Sequence, residues 1–210
     1  MNTDILTLAQ WLSPAYPVGA FAYSHGLEAA IGAGWIKDSA DLQDWLGDVL
    51  TDGSGRNDCI LLKAAHAGQV PFGDINATGL AFAASAERRR EATLQGAAFV
   101  KTTAAIWDAD ETDLIYPVAV GAAASKLNID PTLTCAMFLQ AMMSNLIAAA
   151  QRLMPIGQTE GQAILMALTP TCQEIAQDTP STLDDLSSCA FLSDIASMRH
   201  ETQSPRIFRT

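Results

Sequence analysis

The chain has 210 residues, 49% hydrophobic and 17% charged, which excludes a disordered chain and suffices to build a real core. Twelve Lys and Arg against 23 Asp and Glu give a net charge of −11, a balance that repels phosphate backbones and argues against nucleic acid as a partner. Alanine supplies 36 residues and leucine 22 against six valines, a usage that favours packed helices over sheet and suggests apolar surface that a lone monomer would not leave open.

In chain order, Ile5, Leu8, Ala9 and Leu12 form a first helical stripe that stops at Ser13-Pro14. Leu42, Trp45, Leu46, Val49 and Leu50 form a second, entered through Asp38-Ser39 and closed by Asp52-Gly53. Its other face carries Asp41, Asp44, Asp48 and Asp52, either a solvated surface or an electrostatic docking face. Further helices are expected over 57–67, 75–85, 87–107 and 114–127. Asp130-Pro131 then opens a run of 21 uncharged residues, 131–151, ended by Arg152 and Pro155. Its length raises the question of a membrane span, but Gln140, Ser144 and Asn145 sit where lipid tolerates polar groups least. We therefore expect this helix to be buried in protein, at the centre of a bundle or at an interface. Shorter helices are expected near 158–168, 171–178 and 187–197. The resulting expectation is an all-α, single-domain bundle of about ten helices around the uncharged one, spanning 1–198, with 199–210 as a tail.

No arrangement of catalytic residues stands out. Ser24 and His25 are adjacent, so on a helix they point about 100° apart and cannot pair as nucleophile and base. Neither a G-x-S-x-G elbow nor a phosphate loop is present. Cys59 and His66 are seven residues apart, about 10 Å along a helix axis, too far to share one ion comfortably. Asp108, Asp110, Glu111 and Asp113 crowd a likely loop without a calcium-loop pattern. Cys59, Cys135, Cys172 and Cys189 form no CxxC pair and are expected as small core residues in a reducing compartment. The first residues have neither a basic region nor a cleavage site, so a cytoplasmic location is expected.

Half of the cations lie in two short stretches: Arg88, Arg89 and Arg90, and Arg199, Arg206 and Arg209. The first cluster is either a helix surface beside Glu87 and Glu91 or a partner contact. The second belongs to the tail Arg199-His200-Glu201 to Arg206-Ile207-Phe208-Arg209, which reads as a frayed end or as a docking peptide anchored by Phe208.

The stretch from Ser13-Pro14-Ala15-Tyr16-Pro17-Val18-Gly19 through Phe21, Tyr23 and Gly26 to Glu28 resembles the urease accessory protein F family (UreF). Glu87, Arg89, Gln95 and Gly96, Tyr116-Pro117-Val118-Ala119, the Pro155–Gln162 segment and both parts of the tail resemble further family blocks, in family order over essentially the whole chain. Two departures are Ser204-Pro205, in place of an aromatic-serine pair, and Thr210, in place of serine. The resemblance implies a cytoplasmic nickel-insertion chaperone without catalytic residues. It would be all-α and homodimeric, and would link accessory protein D (H in some species) to the GTPase accessory protein G during maturation of apo-urease. It would bind no cofactor stably, the nickel being handled by the complex. It further implies that the tail residues Arg199, His200, Glu201, Arg206, Ile207, Phe208 and Arg209 engage protein D. Pro14, Pro17, Gly19, Phe21, Tyr23, Gly26 and Glu28 are expected to be structural, the prolines fixing a turn and Gly19 and Gly26 allowing close backbone approach. Two rival readings remain. In one, an arginine among 88–90 acts as a finger that stimulates GTP hydrolysis by protein G. In the other, the chain is an all-α small-molecule enzyme or sensor, which would need a pocket with convergent polar groups that the sequence does not announce.

Overall fold

The computed structural model describes residues 3–107 and 113–210, so Asp108, Asp110 and Glu111 of the expected acidic loop lie outside the described residues. The chain runs through α1 (Thr3–Trp11), a 3-10 turn (Ala20–Ala22), α2 (Leu27–Gly32), α3 (Ser39–Thr51), α4 (Ser54–Ala67), α5 (Phe72–Ala81) and α6 (Ala86–Trp107). It continues through α7 (Tyr116–Lys126), α8 (Pro131–Leu153), α9 (Gln158–Asp178), a second 3-10 turn (Leu183–Asp185) and α10 (Phe191–His200). No strand occurs among the described residues, and the all-α expectation holds.

Local chemistry explains the clearest boundaries. Asp38 caps α3 by accepting from the N–H groups of Ala40 and Asp41, both at 3.0 Å. Asp130 caps α8 through the Leu133 N–H at 2.7 Å, with Pro131 in the first turn, where a missing N–H costs nothing. One expected boundary is absent. Residues 158–178 form a single helix through Pro170 instead of two. The carbonyl that Pro170 cannot satisfy belongs to Met166, which is 74% exposed and can turn to water.

The uncharged helix α8 packs against α9 and α4, and also against α1, α2, α3 and α7. Phe138, Leu139, Met143, Leu146 and Ile147 are buried, while Gln140 and Ala148 are exposed. Its enclosure is therefore one-sided. The helix has the length and hydropathy of a membrane span, and half of the relevant window is buried inside the protein. Edge-on aromatic contacts run from Trp107 through Trp11 and Phe99 to Tyr116, and a tilted contact extends them to Phe138, joining α1, α6, α7 and α8. Helices approach closely where they meet α7. A Cβ on Gly121 would lie 2.2 Å from the Leu62 carbonyl oxygen, and one on Gly96 would lie 1.9 Å from that of Leu114. Cys59, Cys135 and Cys172 are buried as expected, but Cys189 is exposed, because it lies in the turn that ties its N–H to the Asp52 carbonyl.

Candidate functional site

The stretch from Ser13 to Glu28 is a chain of turns. Pro14 follows Ser13 in a turn closed by the Tyr16 N–H on the Ser13 carbonyl at 2.9 Å, and Pro17 lies between Tyr16 and Val18, whose N–H reaches the Tyr16 carbonyl at 2.8 Å. Gly19 has φ +75° but open space around it, so it supplies a left-handed backbone rather than the close approach expected. Gly26 does both. Its φ is +80°, and a Cβ there would stand 2.6 Å from the Ser197 nitrogen, so α10 can lie directly on the start of α2. Tyr23 and Glu28 are buried, whereas Phe21 is 70% exposed.

Beyond α10 the tail folds back as a strap over these turns. The Ile207 and Phe208 N–H groups donate to the two oxygens of Glu28 at 2.7 and 2.8 Å. The Arg209 N–H donates to the Ala22 carbonyl at 2.9 Å, and the Ser24 N–H donates to the Thr210 carbonyl at 3.0 Å. Phe208 is 3% exposed, and its ring lies 4.4 Å from the Arg152 guanidinium, which donates to the Phe21 carbonyl. On α10, His200 lies between Glu28 and Glu87, Glu87 also pairs with Arg206, and Glu201 accepts the Ala86 N–H at 2.7 Å. Arg199 stacks on Trp35 at 4.9 Å.

This geometry fastens residues 199–210, expected as a tail, to the body. The strap is continuous with the body through backbone hydrogen bonds and a buried ring, because Glu28 and Arg152 offer it an acceptor and a cover. Phe208 and His200 face inward. Ile207 and Arg209 are exposed, and Arg206 is 41% exposed at its side chain. The sequence reading missed the outer face of α10, where Phe191, Leu192, Ile195 and Met198 are exposed at helical spacing opposite buried Ala196. The signal was present in that spacing, but only tertiary contacts decide which of two apolar faces stays open.

Next to the strap lies a cavity of about 540 Å³ among α1, α4, α6, α7 and α8. Its walls include Tyr16, Phe138 and Leu146, and its polar end holds His25, Asp58, Arg88 and Glu91. Arg88 pairs with Glu91 at 2.5 Å and lies 2.6 Å from His25 Nε2, which is 2.8 Å from Glu91 Oε1. Thr210 donates its hydroxyl to the other Glu91 oxygen at 3.0 Å, linking strap and cavity. Burial acts to raise the Glu91 carboxyl, but Arg88 and His25 outweigh it and hold the group down at about 2. Burial, reinforced by Arg88, pushes His25 below its ordinary value, and its Nδ1 has no partner among the described residues. Asp58 makes no hydrogen bond among the described residues, and burial lifts its carboxyl to about 7. A pocket with convergent polar groups therefore exists, although the sequence did not announce it: its members come from the turn before α2, from α4 and from α6. Arg88 is engaged in this cluster, while Arg89 and Arg90 are exposed. Among the described residues no group of three or more His, Cys, Asp or Glu side chains is placed to hold a metal ion; His66 is turned to the Ile129 carbonyl at 2.8 Å.

The architecture is thus an all-α bundle whose terminal strap closes over its own N-terminal turns and abuts a polar-ended cavity. The UreF family model matches residues 36–169. A protein of Ruegeria pomeroyi named urease accessory protein UreF is 54% identical over 99% of this chain and 97% of its own length. Proteins of the same name from Roseobacter denitrificans and Cereibacter sphaeroides are each 49% identical over the whole of this chain, covering 96% and 100% of theirs. The chain belongs to the UreF family.

Proposed function

We propose that this chain is a urease accessory adaptor without catalysis of its own, joining accessory protein D (H) to the GTPase accessory protein G while the complex delivers nickel to apo-urease. Family membership supports the pathway, and one structural observation carries the adaptor role. The strap presents Ile207 and Arg209, and α10, which leads into it, leaves Phe191, Leu192, Ile195 and Met198 open. Apolar side chains grouped beside an arginine suit a partner surface that is apolar with an acidic rim. Nickel is the cargo of the complex rather than a resident cofactor of this chain, and the assembly is a cytoplasmic one built on a homodimer.

A pull-down with protein D tests this reading. The Met198→Asp, Ile207→Asp double variant should fold, since both side chains are exposed, and should lose protein D. Undiminished capture would place the docking surface elsewhere. Exposure of Arg89 and Arg90 favours a contact with protein G on α6. Replacing both with Ala should weaken recruitment of protein G by the preformed complex. A loss of stimulated GTP turnover with unchanged recruitment would instead indicate a GTPase-activating role.

A further inference from the structure

The cavity beside the strap has mostly apolar walls, Phe138, Met142 and Leu146 among them, and one charged end. Its volume of about 540 Å³ lies in the range that holds a small organic molecule. Phe82 and Gln140 line it and are exposed, which leaves the cavity open to solvent on that side.

The charged end is complete except at one group. Glu91 meets His25 at 2.8 Å and Arg88 at 2.5 Å, and accepts from the Gln95 amide at 2.9 Å and the Thr210 hydroxyl at 3.0 Å. Its oxygens are taken, and Arg88 directs its guanidinium to Glu91 and His25. Asp58 lines the same end, and no donor reaches its carboxyl among the described residues. With Asp58 ionised, this enclosed end holds two carboxylates against one guanidinium, an imbalance that burial makes costly. Two more side chains on the cavity wall carry a buried polar atom without a partner among the described residues: Tyr16, through its hydroxyl, and His25, through Nδ1. Tyr16 is only 6% exposed, so water does not readily serve it.

Buried polar groups are ordinarily paired, so unpartnered groups gathered on one cavity mark a place where a ligand supplies what the fold does not. The missing partner is defined by what surrounds it. It must be positive and donate N–H to Asp58, and its remainder must suit apolar walls. An anion does not fit, because Glu91 already satisfies Arg88 and Asp58 would repel the newcomer.

We propose that this cavity is a binding site for an amphiphilic organic amine, with its ammonium group on Asp58 and its hydrocarbon body against Phe138, Met142 and Leu146. The ammonium N–H groups donate to the Asp58 carboxylate and restore the charge balance of the polar end. The site lies within the body of the chain and does not depend on which partner meets α10 or the strap.

The test is titration calorimetry on the full-length protein at about pH 8, where an alkylamine is charged. Phenylbutylamine is the probe. Phenylbutanol and phenylbutanoate keep its body and change its head, while butylamine keeps the head and loses most of the body. Phenylbutylamine should bind, and each of the other three should bind about tenfold or more weakly. Asp58→Asn should weaken the amine by about tenfold and leave the alcohol unchanged. Ala141→Phe adds a ring at a half-buried position on the cavity wall and should weaken both. If Asp58→Asn does not fold, the four probes on the wild-type chain still decide the charge preference. Absence of phenylbutylamine binding, any of the other three probes binding as tightly, or an amine affinity unchanged by Asp58→Asn or by Ala141→Phe would overturn the proposal.

Discussion

The Arg152 guanidinium covers the Phe208 ring at 4.4 Å, joining the end of α8 to a strap residue 56 positions later in the chain. The ring is 3% exposed, so it belongs to the body as a core side chain does. Phe208→Ala should cost about 3 kcal/mol of folding stability, measured by urea denaturation, since large aromatic truncations fall in that range. A variant within a few tenths of a kcal/mol of wild type would show a strap that contributes nothing. Removal of residues 199–210 should likewise lower the urea midpoint, since it also strips His200 and Glu201 from the ends of α2 and α6.

Gly26 makes a sharper prediction. Its left-handed φ and the 2.6 Å approach of the Ser197 nitrogen penalise any side chain twice. Gly26→Ala should destabilise by about 2 kcal/mol or more and lower amide protection in α10. Gly19→Ala meets only the φ penalty, about 1 kcal/mol, because nothing crowds it. Equal costs at the two glycines would contradict the close contact of α10 with α2.

The faces of α8 can be told apart by charge. Met143 is fully buried, so Met143→Asp should cost about 4 kcal/mol or more and yield little folded protein. Gln140 is exposed, and Gln140→Asp should stay within about 0.5 kcal/mol of wild type. Thermal unfolding followed by circular dichroism reads both. A stable Met143→Asp protein would mean that this side of the helix faces water.

The cavity carboxylates give opposite pH signatures. Glu91 is depressed from 4.5 to about 2, so its contribution is present above the unfolded value and is lost as pH falls through that window. Asp58 is raised from 3.8 to about 7, so the folded state binds its proton more tightly and stability falls as pH rises across that range. Asp58→Asn should therefore raise the melting temperature at about pH 8 and leave it unchanged at about pH 4. A gain of the same size at both values would show that burial does not perturb Asp58.

Local pattern was enough to read most of the helices. Apolar residues recurring at three and four positions mark α3, an uncharged run marks α8, and Asp38 and Asp130 mark their starts, because capping and local pattern are satisfied within short stretches of chain. Pro170 misled for the complementary reason: whether a proline ends a helix depends on whether the orphaned carbonyl can reach water, which the fold decides. The tail was legible as charged and aromatic, but not as docked. His200 and Glu28 are 172 residues apart, and Thr210 and Glu91 are 119 apart. No local spacing encodes such pairs; they exist because Gly26 lets α10 settle on α2 and so brings the strap to Glu28, Glu87 and Arg152. The cavity follows the same logic, since Asp58, His25 and Glu91 acquire their shared burial, and with it their shifted proton affinities, only after α4, α6 and the turn before α2 have packed together.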